Sequence, residues 1–186
     1  MIPSSFKYHR ATSVNDAIKA LSGDSKLLAG GHSLLPSLKL RLNETGKLVD
    51  IGSIAALKGI TEAKGILKIG AGTTHGEVAA NKTVKSKFPM VAQAAAAIGD
   101  IQVRNKGTIG GSLAHADPAA DWAAAVLAAD ATIIAKGPKG ERKIKATDFF
   151  KGMNLTFLDV MPSPVLGPKG NREFVMYLKR ETDAQP

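Results

Sequence analysis

The chain places two glycine pairs beside small hydroxyl residues: Ala29-Gly30-Gly31-His32-Ser33 and, far downstream, Thr108-Ile109-Gly110-Gly111-Ser112. Glycine lets a backbone take positive φ and approach a ligand with no Cβ in the way. Successive backbone N–H groups in such a turn make a concave donor set of phosphate size. The first pair also feeds SLLPSLKLRL, read as a helix with Ser33 at its N-cap and Pro36 in the first turn, where a missing N–H is tolerated. Unpaired N–H groups at that helix start attract an anion. Two such loops suit a pyrophosphate, one on each side. Taken singly, either pair reads more readily as a tight turn.

Other residues compete for a chemical role. ILKIGAGTTHGEVAA holds Gly70, Gly72 and Gly76 between a strand and a helix, but the spacing is one residue longer than the dinucleotide fingerprint. The acidic residue that fingerprint needs after the next strand is also not evident, and no P-loop pattern occurs. The histidines are His9, His32, His75 and His115, none at metal-ligand spacing from another. No G-x-S-x-G nucleophile elbow is present. His32 and His115 each flank a glycine loop. Either could bond a cofactor, or be satisfied by backbone. Asp117 reads as a helix N-cap. Asp121, one turn further, could accept hydrogen bonds from ribose or ribityl hydroxyls, and Trp122 reads as helix packing.

The 186 residues, 44% hydrophobic and 22% charged, suit one domain or two small lobes. No run approaches the ~18 apolar residues of a membrane span. The start, MIPSSFKYHRATS, has no apolar segment after its basic residues, so the expectation is no secretory signal and a cytoplasmic protein. With no Cys, disulfides, thiolate zinc sites and iron–sulfur clusters held by this chain's own thiolates are excluded. The net charge of +9 favours anionic partners. Against nucleic acid, the lysines are scattered, and aromatics at 5% are too few for a base-stacking platform. The densest basic run, KGPKGERKIK at 136–145, reads as a hairpin with charged outer positions.

These residues need elements to hold them. SVNDAIKAL (13–21) reads as a helix capped by Ser13, with KLLAG (26–30) and KLVDIG (47–52) as strands and IAALKG as a turn or short helical piece. GITEAKGILKIGAGTT (59–74) reads as a hairpin about Lys64-Gly65, followed by a helix from His75 or Gly76. MVAQAAAAI (90–98) is an Ala-rich helix, and residues 101–118 read as a loop. Asp117-Pro118 is then expected to open the helix AADWAAAVLAAD. ATIIAKG and ERKIKA read as strands, with ATDFFKG closing the segment. Without a steady alternation of strand and helix, the pattern predicts an α+β fold of two lobes, 1–55 and 56–152, with a tail at 153–186.

LLAGGHSLLPSLKLRL and IGDIQVRNKGTIGGSLAHADPAADW together resemble the two FAD-binding motifs of the medium subunit of molybdenum hydroxylases, of the carbon monoxide dehydrogenase and xanthine dehydrogenase type. The resemblance runs from Phe6 to about Met153. It implies a two-lobed FAD-binding fold of the vanillyl-alcohol oxidase kind, lacking the family's usual C-terminal domain. It implies that Ala29, Gly30, Gly31, His32, Ser33, Leu34 and Leu35 wrap the FAD pyrophosphate, mostly by backbone N–H groups. Ile98, Gly99 and Val103 would line the flavin. Gly107, Thr108, Gly111, Ser112, Ala114 and His115 would form a second phosphate and ribityl wall, with Asp121 taking a hydroxyl contact. Many relatives carry Asn where this chain has Ser112. The implied partners are a large subunit with the molybdenum cofactor and a small one with two [2Fe–2S] clusters, electrons reaching FAD and leaving to a quinone or NAD⁺. A flavin-binding module without turnover is the alternative, and a nucleic-acid-associated protein a weaker one. After FFKGM the pattern breaks: Ser163-Pro164, Gly167-Pro168-Lys169-Gly170-Asn171 and Glu173-Phe174 resemble the end of hemolysin-like ribosomal RNA methyltransferases, without any methyl-donor site. EFVMYLK in that tail is expected to form a strand.

Overall fold

A computed structural model describes residues 2–117, 120–151, 155–166 and 172–180. The chain divides into two compact units, Met1–His115 and Ala116–Pro186.

The first unit begins with a parallel three-stranded sheet in the order β1 (Lys7–Arg10), β3 (Lys47–Asp50), β2 (Ser25–Leu28). The central strand is the buried one, with Leu48 1% and Val49 0% exposed. Helix α1 (Val14–Ala20) links β1 to β2, and its Ala17 joins Ala11, Val49 and Ile54 in one apolar cluster. Ser13 caps α1 as expected, its hydroxyl accepting from the Asp16 N–H at 3.0 Å. At the other end, the Lys47 ammonium reaches the Ala20 carbonyl at 2.7 Å and satisfies one of the orphan acceptors there. Helix α2 (Leu34–Lys39) follows β2, and a 3₁₀ turn at Ala55–Leu57 follows β3. The expected lobe boundary near residue 55 therefore falls inside this unit.

Beyond that turn, β4 (Ile60–Ala63) and β5 (Ile66–Ile69) form the expected antiparallel hairpin. Lys64 and Gly65 take φ of 52° and 77°, the paired positive values of a two-residue hairpin turn. Helices α3 (His75–Ala80), α4 (Lys82–Lys87) and α5 (Pro89–Ala97) then pack together through Val78, Val84, Ala92 and Ala95. Small residues allow that close approach. Residues 101–118, expected as a loop, instead hold α6 (Ile101–Arg104) and α7 (Ile109–His115). Side-chain caps override the low helix propensity of the glycines there.

In the second unit α8 spans Asp121–Ala128. The expected start at Asp117-Pro118 is corrected: the residue at the cap is Ala120. Trp122 is buried, at 1% exposure. Strands β6 (Thr132–Gly137) and β7 (Gly140–Lys145) pair antiparallel, followed by α9 (Ala146–Lys151). β8 (Leu155–Leu166) pairs with β9 (Arg172–Arg180), which contains the strand expected at 173–179. The pairing is irregular between Pro162 and Leu166, where prolines cannot donate to a ladder. Residues 167–171, part of the methyltransferase-like stretch, lie outside the described residues.

Candidate functional site

Parallel strands end together, so the loops that follow β2 and β3 share one edge of the sheet. The Ile51 N–H donates to the Leu28 carbonyl at 2.9 Å and keeps the two in register to their ends. The loop after β3 is held by side chains. Asp50 accepts from the Gly52 N–H at 2.8 Å and from the Tyr8 hydroxyl at 2.5 Å, and Arg10 reaches the Ser53 hydroxyl at 3.4 Å. The bond to Asp50 pushes the Tyr8 phenol up from its ordinary value. This brace stands directly beside the first glycine loop, since a Cβ on Gly52 would lie 3.7 Å from the Ala29 carbonyl.

The first loop is an open turn at the start of a helix. Gly31 takes φ +78°, a conformation that disfavours any residue with a Cβ. Its carbonyl accepts from the Leu35 N–H at 2.9 Å, so helical bonding begins there. Ser33 sits at the N-cap position with helical φ and ψ, and its side chain makes no capping bond, which corrects the expected role. Among the described residues, the N–H groups of Gly30, Gly31, His32, Ser33 and Leu34 donate to no protein acceptor. A run of unsatisfied donors at one turn is what an oxyanion ligand requires.

Gly30 serves a second end as well. A Cβ there would overlap the Lys106 carbonyl and lie 2.9 Å from the Gly107 Cα. The glycine brings the first loop onto the backbone of the second motif. That contact is long-range, and spacing alone did not announce it.

The second motif differs from the expected nest. Thr108 caps α7, its hydroxyl accepting from Gly111 N–H at 3.1 Å and its carbonyl from Ser112 N–H at 3.0 Å. The Ile109 and Gly110 N–H groups donate to Thr73 and Ala71 carbonyls at 3.1 and 2.9 Å. The N–H groups from Ile109 to Ser112 are all spent inside the protein, so the second glycine pair offers no backbone nest. Gly110 is there for packing: a Cβ would lie 2.7 Å from the Ala71 carbonyl. Gly70-Ala71-Gly72-Thr73, set aside as an imperfect dinucleotide fingerprint, is the platform on which α7 docks. His75, buried at 4%, also belongs to it. Its N–H donates to the Gly107 carbonyl at 3.0 Å, and its ring leaves no room for a Cβ on Gly107. The signal for this platform in the sequence is Thr74-x-x-Glu77, a capping box. Glu77 accepts from the Thr74 N–H at 2.7 Å, which holds its carboxyl below the usual 4.5.

Gly99 (φ +47°), which follows Ile98, packs against Val103: a Cβ on it would lie 3.1 Å from the Val103 Cβ. Asp100 caps α6 through the Val103 N–H at 2.8 Å, and Arg104 binds the Ile98 and Gly99 carbonyls at 3.1 and 2.7 Å. His32, Ala114 and His115 are exposed, and Ser112 is half-buried on α7. Asp121 is the exposed first residue of α8 in the second unit.

A parallel sheet edge with a glycine turn of free N–H groups, and a second motif folded onto that turn, defines a domain for a phosphate-bearing cofactor. The FAD binding domain in molybdopterin dehydrogenase matches residues 4–166, beyond the limit at Met153 that the motifs suggested. The carbon monoxide dehydrogenase medium chain of Hydrogenophaga pseudoflava is 43% identical over 162 residues, 86% of this chain and 56% of that one. The glyceraldehyde dehydrogenase medium chain of Sulfolobus acidocaldarius is 44% identical over 154 residues, 82% and 55% of the two chains. Among solved structures, quinoline 2-oxidoreductase from Pseudomonas putida 86 aligns at a TM-score of 0.79 and 37% identity, covering 81% of this chain and 54% of that one. Carbon monoxide dehydrogenase from Hydrogenophaga pseudoflava lacking the Mo-pyranopterin moiety aligns at 0.78 and 44% identity, covering 81% and 53%. The chain belongs to the family of FAD-binding domains of molybdopterin dehydrogenases, and FAD is the cofactor of that family. It spans about half the length of the curated relatives it matches.

Proposed function

We propose that this chain is the FAD-binding part of an electron-transfer subunit in a molybdenum hydroxylase-type oxidoreductase. The observation that carries the reading is the run of unengaged N–H groups from Gly30 to Leu34, opened by Gly31 at positive φ. The residues fit the cofactor: these donors, with the Ala29–Leu35 backbone around them, would hold its pyrophosphate. Ile98, Gly99 and Val103 would present an apolar face to the flavin ring. Gly107, Thr108, Gly111, Ser112, Ala114 and His115 would act as a wall through side chains and backbone surface, because the α7 donors are already satisfied.

A bound flavin supplies the redox chemistry, and the protein supplies binding and orientation. The capping box of α3 and the α7 cap hold the second motif, so the Gly30 contact sets how closely the first loop approaches it. In this reading the electron source is a [2Fe–2S] small subunit, the acceptor a quinone or NAD⁺, and substrate chemistry belongs to a molybdenum-cofactor large subunit. A cytoplasmic location accompanies it. Among the described residues, no helix is long and apolar enough to cross a membrane.

The test is the visible spectrum of the purified chain after incubation with FAD and desalting. A retained flavin spectrum near one FAD per chain is expected. A colourless protein that takes up no flavin would overturn the reading.

A further inference from the structure

The first loop offers partial charges only, whereas a diphosphate linker carries two formal negative charges. A full positive charge near that loop would complete the site. The second motif carries two cations beside the Gly107 backbone. The Arg104 guanidinium is committed to the Ile98 and Gly99 carbonyls. Lys106 is different. Its peptide unit touches Gly30, the first residue of the unengaged N–H run. Its backbone is fixed, with the Lys106 N–H on the Val103 carbonyl at 3.2 Å and the following Gly107 N–H on the same oxygen at 2.7 Å. Its side chain is exposed and has no ion-pair or hydrogen-bond partner among the described residues.

We propose that Lys106 is a cofactor-binding residue whose ammonium neutralises the diphosphate seated on the Gly30–Leu34 donors. The assignment rests on the FAD reading above and deepens it. An ammonium is a compact point charge on a flexible stem, suited to a diffuse phosphate charge rather than to one fixed geometry. It gives the two motifs a division of labour. The first supplies oriented dipoles and the second supplies the counter-charge, delivered across the Gly30 contact.

The experiment compares wild type, Lys106→Gln and Lys106→Arg in the full chain, titrated with FAD and with riboflavin, which has no phosphate. Titrations are run at low and high salt. Lys106→Gln is expected to weaken FAD by about tenfold at low salt, as for loss of a charged hydrogen bond. It should leave riboflavin unchanged and flatten the salt dependence of FAD binding, since an exposed charge is screened. Lys106→Arg should retain FAD close to wild type. If Lys106→Gln binds FAD as tightly as wild type with the same salt dependence, or loses riboflavin in equal proportion, the assignment is wrong. If wild type itself takes up no FAD, the cofactor reading falls and this assignment with it.

Discussion

Glycines at four positions of the site face unequal demands, and their substitutions should not behave alike. At Gly31 the demand is conformational, because φ is +78°. At Gly30 it is steric, because backbone atoms of Lys106 and Gly107 occupy the place of a Cβ. Backbone cannot swing aside as a flexible side chain can. Gly30→Ala should therefore cost about 1–3 kcal/mol of stability, as other overpacked sites do. It should also push the two motifs apart and weaken FAD in the same titrations. Gly110 is pressed on Ala71, whereas a Cβ on Gly111 would meet only the Thr108 hydroxyl, at 2.8 Å. Alanine is favoured over glycine in a helix by about 1 kcal/mol, which offsets that contact. Gly111→Ala should thus unfold within about 1 kcal/mol of wild type in urea. Equal damage from Gly30→Ala and Gly111→Ala would mean that the Gly30 contact does not set the site.

The short helices α3, α6 and α7 depend on caps, because pieces of four to seven residues cannot hold themselves together by propensity. Asp100 and Thr108 cap two of them, and the Thr74–Glu77 box caps the third. Thr74→Ala should cost about 1 kcal/mol at pH 7, the usual worth of an N-cap. The dependence on acid has a definite sign. The Glu77 carboxyl is held below its ordinary 4.5, first by the Thr74 N–H and then by the Thr74 hydroxyl. A depressed folded value means that the pair's contribution is complete above pH 4.5 and is lost as pH falls through the lowered value. The difference in urea midpoint between wild type and Thr74→Ala should shrink as the medium is acidified below that point. The Thr74 N–H survives in the variant, so a gap that stays constant into acid would show that the Thr74 hydroxyl contributes nothing through the Glu77 carboxylate.

A ligand that binds only the folded chain stabilises it by mass action. FAD at a hundredfold excess over its Kd should therefore raise unfolding free energy by about 2.7 kcal/mol, read as a shift in thermal midpoint. Riboflavin at the same concentration should give less, because it leaves the Gly30–Leu34 donors unused. An equal shift from both would place the binding energy in the ring and not in the first loop. The chain's +9 charge suits a phosphate-bearing cofactor as well as an acidic partner face, so charge by itself does not choose between them.

What the sequence determined by itself is local. Ser13 before VNDAIKA announced a capped helix, Lys64-Gly65 a hairpin turn and AGGHS a glycine turn with open N–H groups, because each depends on neighbours a few residues away. The two long motifs also placed the chain in its family. What only the tertiary structure decided is the partner of each group. Ile109–Ser112 looked like a second phosphate nest, yet its donors are taken by Thr73, Ala71 and Thr108. GAGTT looked like a defective fingerprint and is the seat of α7. Gly30 looked like a ligand contact alone and is also where the two motifs meet. Periodicity and propensity report how a segment bonds to itself. Which carbonyl from a distant turn arrives to satisfy an N–H is settled by packing, and that alone distinguishes a free donor from a spent one.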